Sequence, residues 1–171
     1  MAEELEVEID EETGKRKKEP TDAEILQKVQ ETEELRLKTH EHIDRAYVGN
    51  IETLRHGHCR VSLVTTEWMT VDNEHMVMSG FINMAAEFSA LAAINEPNAM
   101  MMHNDATYLS PVRMDEEIVF DAKVRHTDGR KREVDVIGHF KEIKVYESRM
   151  TITITEYHPL KIKLSDIAGV E

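Results

Sequence analysis

The chain has 171 residues, 40 % of them hydrophobic, which suits one domain with an appendage and suffices for a core. Its 34 acidic residues against 21 basic ones give a formal net charge of −13, which excludes a phosphate-tracking nucleic-acid binder and a partner membrane of anionic lipid. A single cysteine, Cys59, excludes an intramolecular disulfide and fits a reducing compartment.

Residues 1–20 are an acidic block followed by a basic one, with neither the basic start nor the apolar centre of a signal peptide. Too little apolar surface is present to offset ordering entropy, so a charged disordered tail is expected. No apolar run approaches the roughly 20 residues that cross a bilayer, and a soluble, cytoplasmic protein is the expectation. Thr21 and Glu24 form a capping box ahead of Ile25, Leu26 and Val29 at helical spacing. Residues 21–42 are therefore predicted as an amphipathic helical extension ending near His40. The main domain is predicted over residues 43–160, with a short tail over 161–171.

From Ala46 the pattern turns to strand, in "AYVGNIETL" and "CRVSLVTTEW". A loop, "TVDNEH", leads into the least polar run of the chain, "HMVMSGFINMAAEFSALAAI", predicted as a helix with Ser79 as N-cap and "NEPN" as its stop. "AMMMHNDATYL" is the next strand. "EEIVFDAKVR" places Ile118, Phe120, Ala122 and Val124 on one face, and Asp128-Gly129 marks a hairpin. "REVDVIGHF" turns Val134, Val136, Gly138 and Phe140 inward, and "YESRMTITITEY" does so with Met150, Ile152 and Ile154. With no helical pattern between them, these last four strands are expected to form an antiparallel meander. A helix apolar nearly all round needs cover on most sides, so a curved sheet is expected to wrap it, giving an α+β fold.

This order, with this helix, resembles the hotdog-fold thioesterase and dehydratase superfamily over roughly residues 45–157, as a single-domain bacterial member. "YLSPVRMDEEIVFDAKV" is similar to that family's Pro-Val, turn and long strand, with Met114-Asp115 in place of the usual Gly-Asp. "FKEIKVYES" resembles its last hairpin. Many hotdog thioesterases open the helix with His-Gly-Gly and place an acid seven residues after the second Gly. Here the opening is "MSG", and Gly80 plus seven is Glu87. The carboxylate is kept, while the His and the first Gly are replaced.

The resemblance implies an acyl-CoA thioester as ligand, with coenzyme A as part of the substrate and no separate cofactor. It further implies a homodimer or a dimer of dimers, with clefts between subunits. Glu87 would be the base or nucleophile, favoured by desolvation in an apolar setting. The amides of Gly80 and Phe81, in the unpaired first turn of the helix, would form an oxyanion hole. Asn83 lies one turn before Glu87 and is either its partner or a core amide. Further binding candidates are His75, Met78 and Ser79 at the helix entrance. Arg113, Arg130 and Lys131 are candidates for coenzyme A phosphates, although "RHTDGRKR" reads more readily as a solvated hairpin tip.

"HGHC", residues 56–59, invites a metal reading, with His40 and His42 not far. On one strand His56 and His58 share a face that Cys59 does not, and no metal site is expected. Met76, Met78, Met84, Met100, Met101 and Met102 read mainly as core filler, or as walls of an acyl tunnel. Two functions of different class follow: a thioesterase, supported by Glu87, and a non-catalytic acyl-CoA or acyl-carrier binding protein that regulates or scaffolds, supported by the altered "MSG" start. A dehydratase lacks its usual His-Asp pairing. A fatty-acid repressor would need a DNA-binding module where this chain has only an acid-rich stretch of about forty residues, too short and of the wrong charge.

Overall fold

The computed structural model describes residues 36–161. The predicted tail over 1–20, the capping box at Thr21 and Glu24, and the last ten residues lie outside them. Of the predicted extension only residues 36–42 are described, and they carry no helix. His40 instead adopts a left-handed backbone, φ 51°, which a helix cannot continue through.

The predicted start of a strand at Ala46 is also revised. Arg45–Val48 forms one helical turn, α1, whose N-cap Asp44 accepts from the Ala46 amide at 2.9 Å. Gly49 ends it at φ 82°, where a Cβ would lie 2.3 Å from the Ser62 carbonyl oxygen. Only glycine satisfies both the angle and the approach.

Strands β1 (Asn50–Arg55) and β2 (His58–Val64) form a hairpin. A 3-10 turn, Glu67–Met69, follows, and then α2, Ser79–Ile94. The N-cap is Met78 rather than Ser79, one residue earlier than the sequence suggests. At the other end Asn95 caps in the left-handed conformation, φ 56°. β3 (Ala99–Tyr108), β4 (Glu117–Asp128), β5 (Lys131–Phe140) and β6 (Ile143–Ile154) complete the fold.

All six strands form one antiparallel sheet of order β1-β2-β4-β5-β6-β3. The expected four-strand meander is thus reduced to three. β3 pairs with β6, from Ala99–Ile154 to Tyr108–Tyr146, and β4 pairs with β2. The reason is the helix. It leaves β2, crosses the concave face and delivers β3 to the far edge, so the connection to β4 must run back. That connection is anchored by the Thr65 hydroxyl donating to the Arg113 and Glu116 carbonyls, and by Val77 N–H donating to Val112.

Alternation along the strands sets the core. Ile118, Phe120 and Ala122 of β4, Val134 and Val136 of β5, and Met150 and Ile152 of β6 are buried. They meet Ile82, Ala85, Ala86, Phe88 and Leu91 of α2. The small Ala residues let the helix lie close to the sheet. Burying such side chains stabilises the fold by ~1.5–3 kcal/mol for each large one. The methionine group is not core, contrary to expectation. Met76, Met78, Met100 and Met102 are exposed, and Met84 and Met101 half-buried, because they flank the helix entrance and the edge strand.

Candidate functional site

The sequence candidates fall into three separate places. The first is the N-terminal turn of α2. Here Met78 and Ser79 line an apolar cavity of about 380 Å³ with Val71, Ile82, Leu109 and Val145. Gly80 is exposed, and its amide has no partner among the described residues. The Phe81 amide already donates to the Met78 carbonyl at 3.1 Å. Of the two candidate oxyanion donors, Gly80 is therefore the free one. Trp68 packs edge-on against Phe81, centroids 5.2 Å apart, and Tyr47 against Trp68, at 4.9 Å. These contacts fix the direction in which the helix entrance faces.

The second place surrounds Glu87, two turns further along. Its side chain is half-buried and lines a cleft of about 580 Å³. Leu91, Ala99, Met100 and Met101 supply apolar walls, and the segment bearing Lys38, His40, Glu41 and His42 supplies a polar one. Among the described residues nothing hydrogen-bonds or ion-pairs with the Glu87 carboxylate. Burial raises its pKa above the usual carboxylate value, because water is withdrawn without a compensating charge. A carboxylate of this kind is a better base and nucleophile than a solvated one.

Asn83, one turn earlier, does not partner Glu87. Its Oδ1 accepts from the Tyr146 hydroxyl at 2.9 Å and from Asn104 Nδ2 at 2.7 Å. Burial pushes the Tyr146 hydroxyl pKa up, and the nearby Glu87 charge adds to this in smaller measure. The network joins α2 to β3 and β6 one helical turn before Glu87.

The third place holds the remaining candidates, which gather at neither cavity. His75 is exposed in a tight turn at φ 60°, its carbonyl accepting from Met114 N–H. Arg113 is exposed and contributes backbone bonds to the β3–β4 connection. Arg130 pairs with Glu156 at 3.4 Å at the β4–β5 hairpin, beside the exposed Lys131. "HGHC" assembles no ligand set either. His58 bonds Asp121 at 3.0 Å, while Cys59 faces the core, its thiol pKa pushed up by burial to about 12. No group of three or more His, Cys, Asp or Glu among the described residues is placed to hold a metal.

The chain resembles several known proteins. A structure of an uncharacterized protein from Pyrococcus horikoshii is 28 % identical and covers 74 % of this chain and 98 % of its own, with a TM-score of 0.73. An HP0420 homologue from Helicobacter felis is 32 % identical over 73 % of this chain and 88 % of its own, with a TM-score of 0.70. A hypothetical thioesterase from Streptococcus pneumoniae, solved with coenzyme A, matches at 17 % identity and a TM-score of 0.57, over 64 % of this chain and 87 % of its own. This last likeness is one of fold.

The chain belongs to the family of that Helicobacter felis HP0420 homologue, and its fold is the hotdog fold of the thioesterase-like structures. No family model matches it. Methylthioribose-1-phosphate isomerase from Aquifex aeolicus is 32 % identical over 111 residues, 65 % of this chain. The chain spans about a quarter of that curated relative, 24 % of its length. Within the described residues of this hotdog protein no helix is long and apolar enough to cross a membrane.

Some residues of the Glu87 cleft escape a reading of the sequence. His158 lies far from Glu87 in the chain, and only the fold brings it to the cleft. His40 and His42 are visible in "THEH" only as possible metal ligands, since nothing in their spacing points to Glu87. Asn104 and Tyr146 sit on strands whose register had to be known first.

Proposed function

We propose that this hotdog protein is an acyl-CoA thioesterase whose Glu87 attacks the thioester or activates the water that does. The observation that carries the reading is Glu87 itself. A half-buried carboxylate with a raised pKa, unpaired among the described residues, faces a cleft with one apolar and one polar wall. It stands seven residues after Gly80, where thioesterases of this fold keep their acid.

Seven residues of helix rise ~10 Å, so one thioester does not meet the Gly80 amide and the Glu87 carboxylate of the same chain. A homodimer resolves this by bringing the Gly80 turn of one copy to the Glu87 cleft of the other. Two features support such pairing: among the described residues no strand pairs with the outer edge of β3, and Met76, Met78, Met102, Tyr108 and Leu109 are exposed.

The second reading is a non-catalytic acyl-CoA binding protein. The "MSG" helix start and the engaged Phe81 amide favour it, since both weaken the oxyanion hole. One experiment separates the two. The protein is mixed with short-chain, aryl and long-chain acyl-CoAs and free thiol is followed. Turnover that Glu87→Ala abolishes supports the enzyme. Thermal stabilisation without thiol release supports the binder. Neither response in any member of the panel refutes both.

A further inference from the structure

The polar wall of the Glu87 cleft is built by residues 36–43, and the fold holds this strap in a particular way. Asn95, buried at the C-terminal end of α2, uses both ends of its side-chain amide on the strap backbone. Its Oδ1 accepts from the Lys38 amide at 2.7 Å, and its Nδ2 donates to the Arg36 carbonyl at 2.9 Å. Beyond this clamp the side chain of Thr39 is buried, and the chain turns through His40 in a left-handed conformation, φ 51°. That conformation is costly for a residue with a Cβ and persists only when its surroundings impose it.

The turn places His40 in the wall of the same cleft as Glu87. Its ring is oriented by Thr39, whose Oγ1 lies 2.7 Å from Nδ1. In the tautomer whose Nδ1–H donates to that hydroxyl, the lone pair resides on Nε2, and this is the tautomer the proposal below uses. His40 remains open to solvent on one side, and its partial enclosure in the cleft wall lowers the pKa of the imidazole, which favours the neutral form. The other titratable groups lining the cleft are Lys38, Glu41, His42 and His158.

We propose that His40 is the base for the hydrolytic half of the reaction at Glu87, with Asn95 as the positioning residue that holds the strap bearing it. The proposal rests on the thioesterase reading and divides its chemistry. In the first half a Glu87 oxygen bonds to the thioester carbonyl carbon as the C–S bond breaks, and the thiolate takes a proton from solvent. The carboxylate is then esterified as an anhydride and cannot itself serve as base. In the second half water bonds to the acyl carbon while its proton passes to His40 Nε2. The bond from the acyl carbon to Glu87 breaks, restoring the carboxylate. The imidazolium returns its proton to solvent, leaving free acid and thiol.

The test uses the full chain and the acyl-CoA that the wild type hydrolyses fastest. His40→Asn keeps a residue type that tolerates φ above zero. Asn95→Gly keeps the left-handed helix cap and removes only the two side-chain bonds to the strap. Both are followed for thiol release in the first turnover and in steady state, and by intact-mass spectrometry. Expected for His40→Asn is a steady-state rate at least ~100-fold lower, a stoichiometric burst of thiol, and an acyl adduct that maps to Glu87. Asn95→Gly is expected to show the same adduct with a smaller loss. A merely structural role would slow both halves together and accumulate no adduct.

His40→Asn turnover within about twofold of wild type, or slowed turnover without burst or adduct, overturns the assignment of His40 and leaves the thioesterase reading intact. Wild-type kinetics in Asn95→Gly overturn the role of the clamp. A wild type that hydrolyses no acyl-CoA overturns the thioesterase reading and this proposal with it.

Discussion

The Tyr146 hydroxyl donates to Asn83 Oδ1 at 2.9 Å, tying the fully buried ring of β6 to α2 one turn before Glu87. Asn104 Nδ2 reaches the same oxygen at 2.7 Å. The two partners of this acceptor predict unequal mutational effects. Tyr146→Phe removes one donor and leaves Asn83 Oδ1 satisfied by Asn104, so a loss of about 1 kcal/mol is expected. Asn83→Ala removes the acceptor of both groups and leaves the Tyr146 hydroxyl and the Asn104 amide only their long mutual bond of 3.4 Å, so a larger loss, about 1–3 kcal/mol, is expected. Urea denaturation of the two variants checks the order.

Glu87 should cost the fold stability when ionised. Burial raises its folded pKa above its unfolded value near the usual ~4.3 for Glu, so the native state holds the proton more tightly. Stability attributable to this group is therefore highest below the unfolded pKa and declines as pH rises through the folded one. Glu87→Gln cannot ionise and escapes this decline. Its Tm is expected to exceed that of the wild type at pH 7, with the difference shrinking towards pH 4. A Glu87→Gln variant less stable than wild type at pH 7 would show that the carboxylate has a stabilising partner.

Asp121 on the outer face of the sheet behaves in the opposite sense. Burial acts to raise its pKa, but the His58 hydrogen bond and charge, together with Lys123, outweigh it and the net shift is downward. A lowered folded pKa contributes stability that is present above the unfolded value and is lost as pH falls through the folded one. Asp121→Asn is thus expected to be less stable than wild type at pH 7, and the two to converge as pH falls through the lowered folded pKa. Because both side chains are partly exposed, the difference at pH 7 is expected to stay under about 1 kcal/mol. Thermal melts between pH 2 and 7 measure it.

The sequence carried the wrapped helix and the inward faces of β4 to β6 because each is a local periodicity. Ile118, Phe120 and Ala122 alternate with polar residues whatever strand they pair with, and Glu87 is found by counting from Gly80. What stayed illegible was non-local. Nothing in "AMMMHNDATYL" reveals that β3 pairs with β6 rather than β4, since that follows from the path of α2 across the sheet. The exposure of Met100 and Met102 follows from the same fact, because β3 is an edge. The strap is illegible for a different reason. Its neighbours have helical spacing, but His40 turns left-handed under the clamp of Asn95, more than fifty positions away.

Gly138 offers the last prediction, because its missing side chain makes room for the Asn83 network. A Cβ at this position would lie 3.0 Å from Phe120 Cε1 and 3.2 Å from Tyr146 Cβ. Phe120 and Tyr146 are both fully buried and packed edge to face, with centroids 6.2 Å apart. Neither ring has solvent to move into, so Gly138→Ala must displace one of them. A loss of about 1–3 kcal/mol is expected from the overpacking alone. If Tyr146 is the ring that shifts, its hydroxyl leaves Asn83, and the two losses should not add in a double mutant with Tyr146→Phe. A double-mutant cycle by urea denaturation decides this. Simple additivity would place the displacement on Phe120 instead, away from the helix face that carries Glu87.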